Sequence, residues 1–430
     1  MQSDTIFALS SGRPPAGIAL VRISGPRAGA ALSSLLGRLP APRRATYARL
    51  YNPEQNEELD RALVLWLPGT MTATGEDCAE LHLHGSRAVV NAVEVALAAL
   101  PGLRPAQAGE FTQRAFLNGR IDLAEAEGLA DLLAAETELQ RRTALAMAGG
   151  ELSRVIGAWR ECLLGLSAQV EAALDFSEDD DVSDGMLLAM PSSCGALANE
   201  IREWLMRPRA EVLRDGFRVV LAGPPNAGKS TLFNALVQHE AAITAADPGT
   251  TRDVLIRSVA LEGVPFSFVD TAGLREDSVG EVEAIGIARA RTEAERADLV
   301  LWLGAEGDGP ESVLVWEVAA RCDRLNTAPK QAPHFRVSAV TGEGITNLRL
   351  ALVEFARRAM PVPGEAALNA RQHELLTSAQ ASIHEASAQI DPVLIAEHLR
   401  LARAALDRLT GRTGTEAMLD ALFGRFCIGK

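Results

Sequence analysis

The stretch Gly223-Pro-Pro-Asn-Ala-Gly-Lys-Ser230 decides how this chain is read, because it follows the spacing G-x-x-x-x-G-K-S. Arg218-Val-Val-Leu-Ala222 enters it as a short apolar strand, and Thr231-Leu-Phe-Asn-Ala-Leu-Val237 leaves it with helical spacing. In that context the glycines let the backbone curl until its N–H groups face a phosphate chain, at the positive end of the following helix. Lys229 is expected to reach the β- and γ-phosphates and the Ser230 hydroxyl to hold Mg²⁺, with Asn226, Ala227, Gly228 and Thr231 completing the cradle.

Working outward, residues 213–358 alternate strand and helix patterns, as a mostly parallel sheet covered by helices requires. Asp270-Thr271-Ala272-Gly273 follows the strand Phe266–Val269. Asp270 would reach Mg²⁺ through water, and the Gly273 N–H would sense a γ-phosphate. Gly249-Thr250-Thr251-Arg252-Asp253 lies where a first switch loop belongs, and the Thr251 hydroxyl would complete the Mg²⁺ shell. Val337-Ser338-Ala339 follows a strand-like stretch and would back the base. Each element is weak alone; in this order and spacing they describe a nucleotide hydrolase. One element departs from the pattern. GTPases usually carry N-K-x-D after the fifth strand, and here Val313–Val318 is followed by Ala320-Arg-Cys-Asp323. Asp323 is kept, Arg321 replaces the Lys, and the Asn is absent. A bidentate Asp–guanine contact still discriminates by about 1–3 kcal/mol, so guanine preference with weakened affinity is expected.

A chain of 430 residues is long enough for two or three domains. Its net charge of −14 makes it a poor default nucleic-acid binder, so RNA contact would use a local basic patch or a partner protein. The five cysteines, 78, 162, 194, 322 and 427, are scattered without a C-x-x-C pair, which argues against a disulfide framework or zinc site. The N-terminus lacks a charged-then-apolar signal segment, and no apolar run reaches the roughly 20 residues that span a bilayer, so a soluble, cytoplasmic protein without membrane contact is expected.

Residues 1–118 read as a small mixed domain. Thr5–Leu9, Gly17–Ile23, Arg61–Leu67 and Ala79–His84 have strand patterns, and Arg27–Leu36 and Ser86–Leu100 read as helices. Arg22 sits inside an apolar strand, so it either pairs with an acid or meets an anionic ligand, and pattern alone favours the pair. Residues 119–212 and 359–430 read as one helical domain split in two. Leu123, Ala126, Leu129, Leu132 and Leu133 line one face, Gly149-Gly150 interrupts the run, and Leu152–Leu174 restarts it. Glu178-Asp-Asp-Asp181 reads as a solvated acidic loop. Pro208 marks a boundary, and after Pro361-Val-Pro-Gly364 the chain is helical again through Leu409. Helices on both sides of a compact α/β unit suggest that the unit is inserted into a helical domain.

Four stretches outside that unit are specific. They are Asp4-Thr-Ile6 with Ile18-Ala-Leu-Val-Arg-Ile-Ser-Gly-Pro26; Thr74-Gly-Glu-Asp77 with Glu80-Leu81 and His84-Gly85; the run Gly109–Glu127; and the ending Phe426-Cys-Ile-Gly-Lys430. With the phosphate loop they resemble the MnmE (TrmE) family of tRNA-modification GTPases over essentially the whole chain. The resemblance implies an N-terminal α+β tetrahydrofolate-binding domain that forms a homodimer, an all-α helical domain, and an inserted Ras-like α/β P-loop GTPase domain. It implies a heterocomplex, expected as a heterotetramer, with the partner MnmG (GidA), which alone carries FAD and makes most of the contact with tRNA. Together they would build a 5-carboxymethylaminomethyl or aminomethyl group on wobble uridine 34. The carbon would come from 5,10-methylene-tetrahydrofolate, or the site would hold the 5-formyl form, and glycine or ammonium would supply the amine.

The folate site carries over to Arg22, Glu80, Arg120 and Lys430, with Arg120 standing where the family often has Lys. The resemblance turns Arg22 from a structural pair into a ligand-facing group. Cys427 reads as a half-buried thiol or as a residue beside the folate. For the GTPase domain the resemblance implies activation by K⁺, with Asn226 as its side-chain ligand and no arginine finger. Ala245, Ala246, Asp247, Pro248, Gly249 and Thr250 would cap the cation, Ala245, Asp247 and Thr250 as further K⁺ ligands; Ala245 and Asp247-Pro248 differ from the family pattern. Aligning on E-x-I-G picks Glu283 as the acid that positions water, with one residue inserted before it; its bland alternative is a solvated helix-start acid. Lys229, Glu283 and Arg252 are the catalytic candidates, with Arg252 and Arg275 as switch charges. Two rivals stay open: a ribosome-assembly GTPase without modification chemistry, and a folate-dependent enzyme with a vestigial GTPase domain.

Overall fold

The computed structural model describes residues 4–175, 189–224, 226–237, 255–270, 293, 295–311, 314–324, 330–413, 423–424, 426 and 428–429. They belong to two compact units, Met1–Ala130 with Leu406–Lys430, and Asp131–Ala405.

The first unit is built on a six-stranded sheet. Its strands are β1 (Thr5–Leu9), β2 (Ile18–Ser24), β3 (Thr46–Tyr51), β4 (Glu58–Leu67), β5 (Cys78–His84) and β6 (Leu103–Pro105), in the order β3-β4-β5-β2-β1-β6. Neighbours are antiparallel except β1 and β6. The period-2 alternation of β2, β4 and β5 sorts their side chains. Ala19, Val21, Ile23, Ala62, Val64, Trp66, Ala79, Leu81 and Leu83 face one side, where α1 (Ala28–Leu36) and α2 (Arg87–Ala98) bury them. Strand β3 was not foreseen, because only Leu50 of its six residues is buried and the exposed side of its alternation carries an aromatic, Tyr47, beside Arg49. On the other side, α3 (Glu110–Leu117) lays Phe111 on Ile6 and Ala8.

One charged residue anchors α3. Arg114, 1% exposed, donates to Asp4 Oδ1 (3.0 Å), Glu76 Oε2 (3.1 Å) and Glu110 Oε1 (3.2 Å). Arg104 adds bonds to Asp4 (2.5 Å) and to both Glu110 oxygens (2.5 and 2.8 Å). The network joins segments separated by as much as 110 residues. Ile428 bridges Ala108 in this unit, and the Phe423 ring lies tilted against Phe116 (5.9 Å) and Phe426 (6.0 Å).

The second unit holds helices α5 (Glu138–Ala148), α6 (Glu151–Asp175), α7 (Met190–Leu205) and α11 (Ala370–Ala388), and most of α12 (Pro392–Thr410). Helix α4 (Leu123–Ala134) crosses into it from the first unit. Buried residues Leu152, Ile156, Trp159, Leu163, Leu166, Val170 and Ala173 recur three and four apart along α6, which gives one continuous apolar stripe. Trp159 meets Trp204 of α7 edge to face at 6.1 Å and donates to Glu200. The single helical run expected after Gly364 is two helices, broken where Asp391 Oδ1 accepts from Val393 N and Pro392 opens α12.

The rest of this unit is the α/β part. Its helices are α8 (Ala210–Asp215), α9 (Lys229–Val237) and α10 (Ile345–Ala359). Its strands are β7 (Phe217–Ala222), β8 (Leu255–Leu261), β9 (Val264–Asp270), β10 (Leu299–Trp302), β11 (Val315–Ala320) and β12 (Phe335–Val337), in the order β12-β11-β10-β7-β9-β8. All pairs are parallel except β8 with β9. Strand β11 lies two residues later than the sequence placed it, because Val315 registers with Val300 and Ala320 with Val337. The chain enters and leaves the α/β part at one place. Ala210 N donates to Leu368 O (3.0 Å) and Ala370 N to Glu211 Oε1 (2.5 Å). Gln140 of α5 donates to Leu213 O (2.8 Å), and Leu139 is buried with Leu213 in the α/β core. No helix among the described residues is long and apolar enough to cross a membrane.

Candidate functional site

In parallel α/β sheets, ligands bind beyond the carboxyl ends of the strands. Four sequence elements converge there. Strand β7 delivers the chain into the glycine loop, where Gly223 and Gly228 hold φ of 148° and 100° and Asn226 holds 60°. Lys229 is buried, and its ammonium donates to Gly223 O and Pro224 O, both at 2.9 Å, so it curls back over its own loop. Ser230 and Thr231 are exposed in the first turn of α9. Asp270 ends β9 opposite Leu221, two residues before Gly223, and is 1% exposed. This brings a buried carboxylate beside the mouth of the loop, as a shared Mg²⁺ site requires.

The base end forms where β11 and β12 stop. Ser338, fully buried, follows the Ala320–Val337 pair, and Asp323 lies in the turn after β11. The Ser338 hydroxyl and the local backbone, helped by Arg324 and Arg321, hold the Asp323 carboxyl below its ordinary value. A charged carboxylate, which only accepts hydrogen bonds, is what reads two N–H groups of a purine edge. Ser338 Oγ accepts from Thr341 N (3.2 Å), and Ser338 N donates to Glu343 O (2.9 Å), so its own turn is rigid. Burial first, then Glu343, pushes the Cys322 thiol up, which makes it a poor nucleophile. Sequence reading passed over the position of Arg321. It occupies the left-handed region (φ 58°) and sets its Nε 3.2 Å from where a Cβ on Gly228 would lie. The only sequence signal was the lost Asn-Lys pair itself.

Ala245, Ala246, Asp247, Pro248, Gly249, Thr250, Thr251, Arg252, Thr271, Ala272, Gly273, Arg275, Glu283, Cys427 and Lys430 lie outside the described residues, as does the acidic run Glu178–Asp181.

In the first unit, Arg22 and Glu80 are register partners on β2 and β5. Arg22 Nε and Nη2 both donate to Glu80 Oε1, at 3.1 and 3.0 Å. Oε2 faces His82 Nε2 at 3.7 Å, and the Phe111 ring lies 5.9 Å from the guanidinium. His82 escaped the sequence reading, although the alternation Glu80, His82, His84 puts it on the same face. Arg120 turns its guanidinium to Met71 Sδ at 3.7 Å, and among the described residues no hydrogen bond or ion pair joins it to Arg22 or Glu80. Gly429 (φ 95°) packs on Leu9 O and Ser10, at the end of β1.

A family model for the MnmE helical domain matches residues 123–427, and one for the N-terminus of the GTP-binding protein TrmE matches residues 5–120. A protein of Novosphingobium aromaticivorans named tRNA modification GTPase MnmE is 66% identical over 436 residues, covering 100% of both chains. A Zymomonas mobilis protein of the same name is 52% identical over 435 residues, covering 99% of this chain and 100% of its own. The solved G domain of the T. maritima FeoB iron transporter is 27% identical, covers 32% of this chain and 98% of that one, and superposes with a TM-score of 0.23.

Proposed function

The chain belongs to the MnmE family of tRNA modification GTPases, and on that premise we propose that its α/β part is a K⁺-activated GTP switch driving one-carbon chemistry on wobble uridine 34. The carrying observation is the line of groups at the carboxyl ends of the parallel strands. A buried lysine and a buried aspartate stand at the phosphate end, and Asp323 and the buried Ser338, brought together by the Ala320–Val337 register, stand at the base end.

GTP fits these groups, with Lys229 released from Gly223 O and Pro224 O to meet the phosphates and Asp270 and Ser230 toward Mg²⁺. Asn226, held at positive φ and exposed, is placed to offer its side-chain oxygen to K⁺, which would neutralise charge developing between the phosphates. Glu283 would orient the attacking water, since phosphoryl transfer depends more on positioning than on a strong base. GTP turnover would bias two arrangements of the protein and leave the carbon chemistry to other groups.

The folate reading rests on Arg22 and Glu80. A guanidinium and a carboxylate side by side suit a glutamate tail and a pterin edge, and Glu80 Oε2 carries no hydrogen bond among the described residues. Arg120, Lys430 and Cys427 complete the proposed site. The partner is an FAD protein of the MnmG type, the assembly is a homodimer joined by that partner, and the compartment is the cytoplasm. The family matches extend over residues 5–120 and over helices outside the α/β part, which favours this reading over a ribosome-assembly GTPase.

GTP hydrolysis by the full chain in K⁺ and in Na⁺ at equal ionic strength tests the switch. Strong K⁺ stimulation, lost in Asn226→Ala and Glu283→Ala, is expected. Equal rates in the two salts would overturn the cation mechanism. Binding of 5-formyl-tetrahydrofolate to the parent chain, weakened in Arg22→Met, tests the folate site separately.

A further inference from the structure

Between Asp4 and Glu54 the sequence holds seven arginines and no acid, in a molecule whose net charge is −14. Four of them, Arg38, Arg43, Arg44 and Arg49, lie in the run that joins α1 to β3 and continues along that strand, and all four are exposed. Strand β3 is the outer strand of its sheet, paired with β4 alone. Leu50 turns to the side that α1 and α2 cover, so Tyr47 and Arg49 stand on the opposite face, with their register partners Leu63 and Arg61 beside them. Tyr47 is 71% exposed.

Two arginines directly opposite each other, Arg49 and Arg61, are unfavourable for the sheet. Glu58 offsets this in part, with Oε1 at 2.6 Å from Arg61 Nε and Oε2 at 3.8 Å from Arg49 Nη1. That help does not extend to the other end of the strand. Glu58 is the register partner of Tyr51, and Thr46 to Tyr51 spans about 17 Å, whereas exposed charges in physiological salt are screened beyond about 8 Å. Arg43 and Arg44 lie before Thr46. Arg43 donates to Pro68 O (3.3 Å) and Met71 O (2.9 Å), carbonyls that fix the guanidinium without neutralising it. Among the described residues, the Arg38 and Arg44 side chains form no ion pair. Along β4 and the turn after it, no acid stands between Asp60 and Glu76. Charge alone would guard an outer strand against pairing, but a guard has no use for an exposed tyrosine among the arginines. Cations beside an open aromatic ring match a nucleic-acid strand, which offers phosphates to the first and a base to the second.

We propose that the β3 edge of the first unit is an RNA-docking surface, where Arg38, Arg43, Arg44 and Arg49 meet backbone phosphates and Tyr47 stacks on an unpaired base. This rests on the family reading given above, from which the RNA is the tRNA that is modified. The contact belongs to this chain and adds to whatever a partner supplies. It positions the RNA without reading its sequence, as phosphate contacts do. A second copy of the chain fits the edge less well, since it would bring the same arginines against these.

The test is binding of a fluorescently labelled tRNA transcript to the full chain, read by anisotropy between about 50 and 200 mM KCl. Each phosphate contact adds about 0.7–0.9 to the slope of log affinity against log salt. The double variant Arg38→Gln with Arg44→Gln should therefore flatten the slope by about 1.4–1.8 and weaken binding at the lowest salt by about tenfold or more. Tyr47→Ala should weaken binding about fivefold or more with the slope kept, and Tyr47→Phe should bind as the parent does. Arg358→Gln with Arg400→Gln removes the same charge from exposed helix surfaces elsewhere and should keep the parent's slope. GTP hydrolysis should be unchanged in every variant, so a failure of the nucleotide reading is seen separately. A parent chain that does not bind tRNA, or a double arginine variant with the parent's slope, would overturn the proposal. Variants that keep tRNA affinity and lose self-association in sedimentation would overturn it too, because the edge would then hold a second copy.

Discussion

Replacing Arg114 by methionine tests whether the charged network under α3 holds the first unit together. Methionine keeps the length and the helix propensity and removes the charge. Breaking a buried ion pair from one side costs about 3–5 kcal/mol, because the partner carboxylates stay behind. The geometry argues for the lower end. Glu110, 4% exposed, keeps Arg104 at 2.5 and 2.8 Å, and Asp4, 34% exposed, is partly screened by water. With a urea dependence of about 2 kcal/mol per molar, a loss of about 3 kcal/mol lowers the midpoint by about 1.5 M. Hydrogen exchange of peptides covering β1 and β2 during urea titration reads this unit separately from the other. The double variant Arg114→Met with Glu110→Gln should cost less than the sum of the single changes by about 1 kcal/mol or more. Burial alone would raise the Asp4 and Glu110 carboxyls, but the arginine bonds and charges outweigh it and hold both below their ordinary values. A carboxyl depressed in the folded state contributes stability above its ordinary value near about 4 and loses it as pH falls through the folded value. The gap between parent and variant should therefore narrow below about pH 4. A midpoint shift under about 0.5 M, or strictly additive single changes, would refute the network as a stabilising unit.

Lys229→Ala should lower GTP hydrolysis by about a hundredfold or more while hydrogen exchange in β7 and β9 stays close to the parent's. Gly429→Ala puts a Cβ on the Leu9 carbonyl at a left-handed φ of 95°, so limited digestion with carboxypeptidase should proceed faster than in the parent, with a docking loss of at least about 1 kcal/mol. Burial raises the Asp298 carboxyl more than its bond from Arg218 N lowers it. A raised folded value favours the protonated form, so Asp298→Asn should be more stable than the parent at pH 7 and lose that advantage as pH falls toward about 4, read by thermal denaturation at both pH values.

The phosphate end of the site was legible because its chemistry is local. Strand, loop and helix are consecutive, and Asp270 closes a strand whose apolar run announces itself. The base end was half legible. Asp323 and Ser338 each follow a strand end, but only the Ala320–Val337 register brings them together. Arg321 was illegible because a left-handed backbone, not a spacing, sends its side chain to Gly228. The Arg114 network was illegible for the opposite reason. Its members, Asp4, Glu76, Arg104, Glu110 and Arg114, look like ordinary solvated charges one by one, and tertiary folding alone collects them. Pattern alone made Arg22 a paired strand arginine, and Glu80 is the partner it meets.

The laced crossing at Ala210–Leu368 and Ala370–Glu211 has a consequence for how such a chain tolerates change. The intervening 159-residue excursion starts and finishes within hydrogen-bond reach. To the helices on either side it is a short link, whatever is carried on it, since the entropy of closing a loop depends on the span between its pinned ends once the cargo is folded. The bundle therefore works as a socket. Another compact domain whose termini lie equally close could be plugged in at residues 210 and 368, and the helices would close around it as they do here.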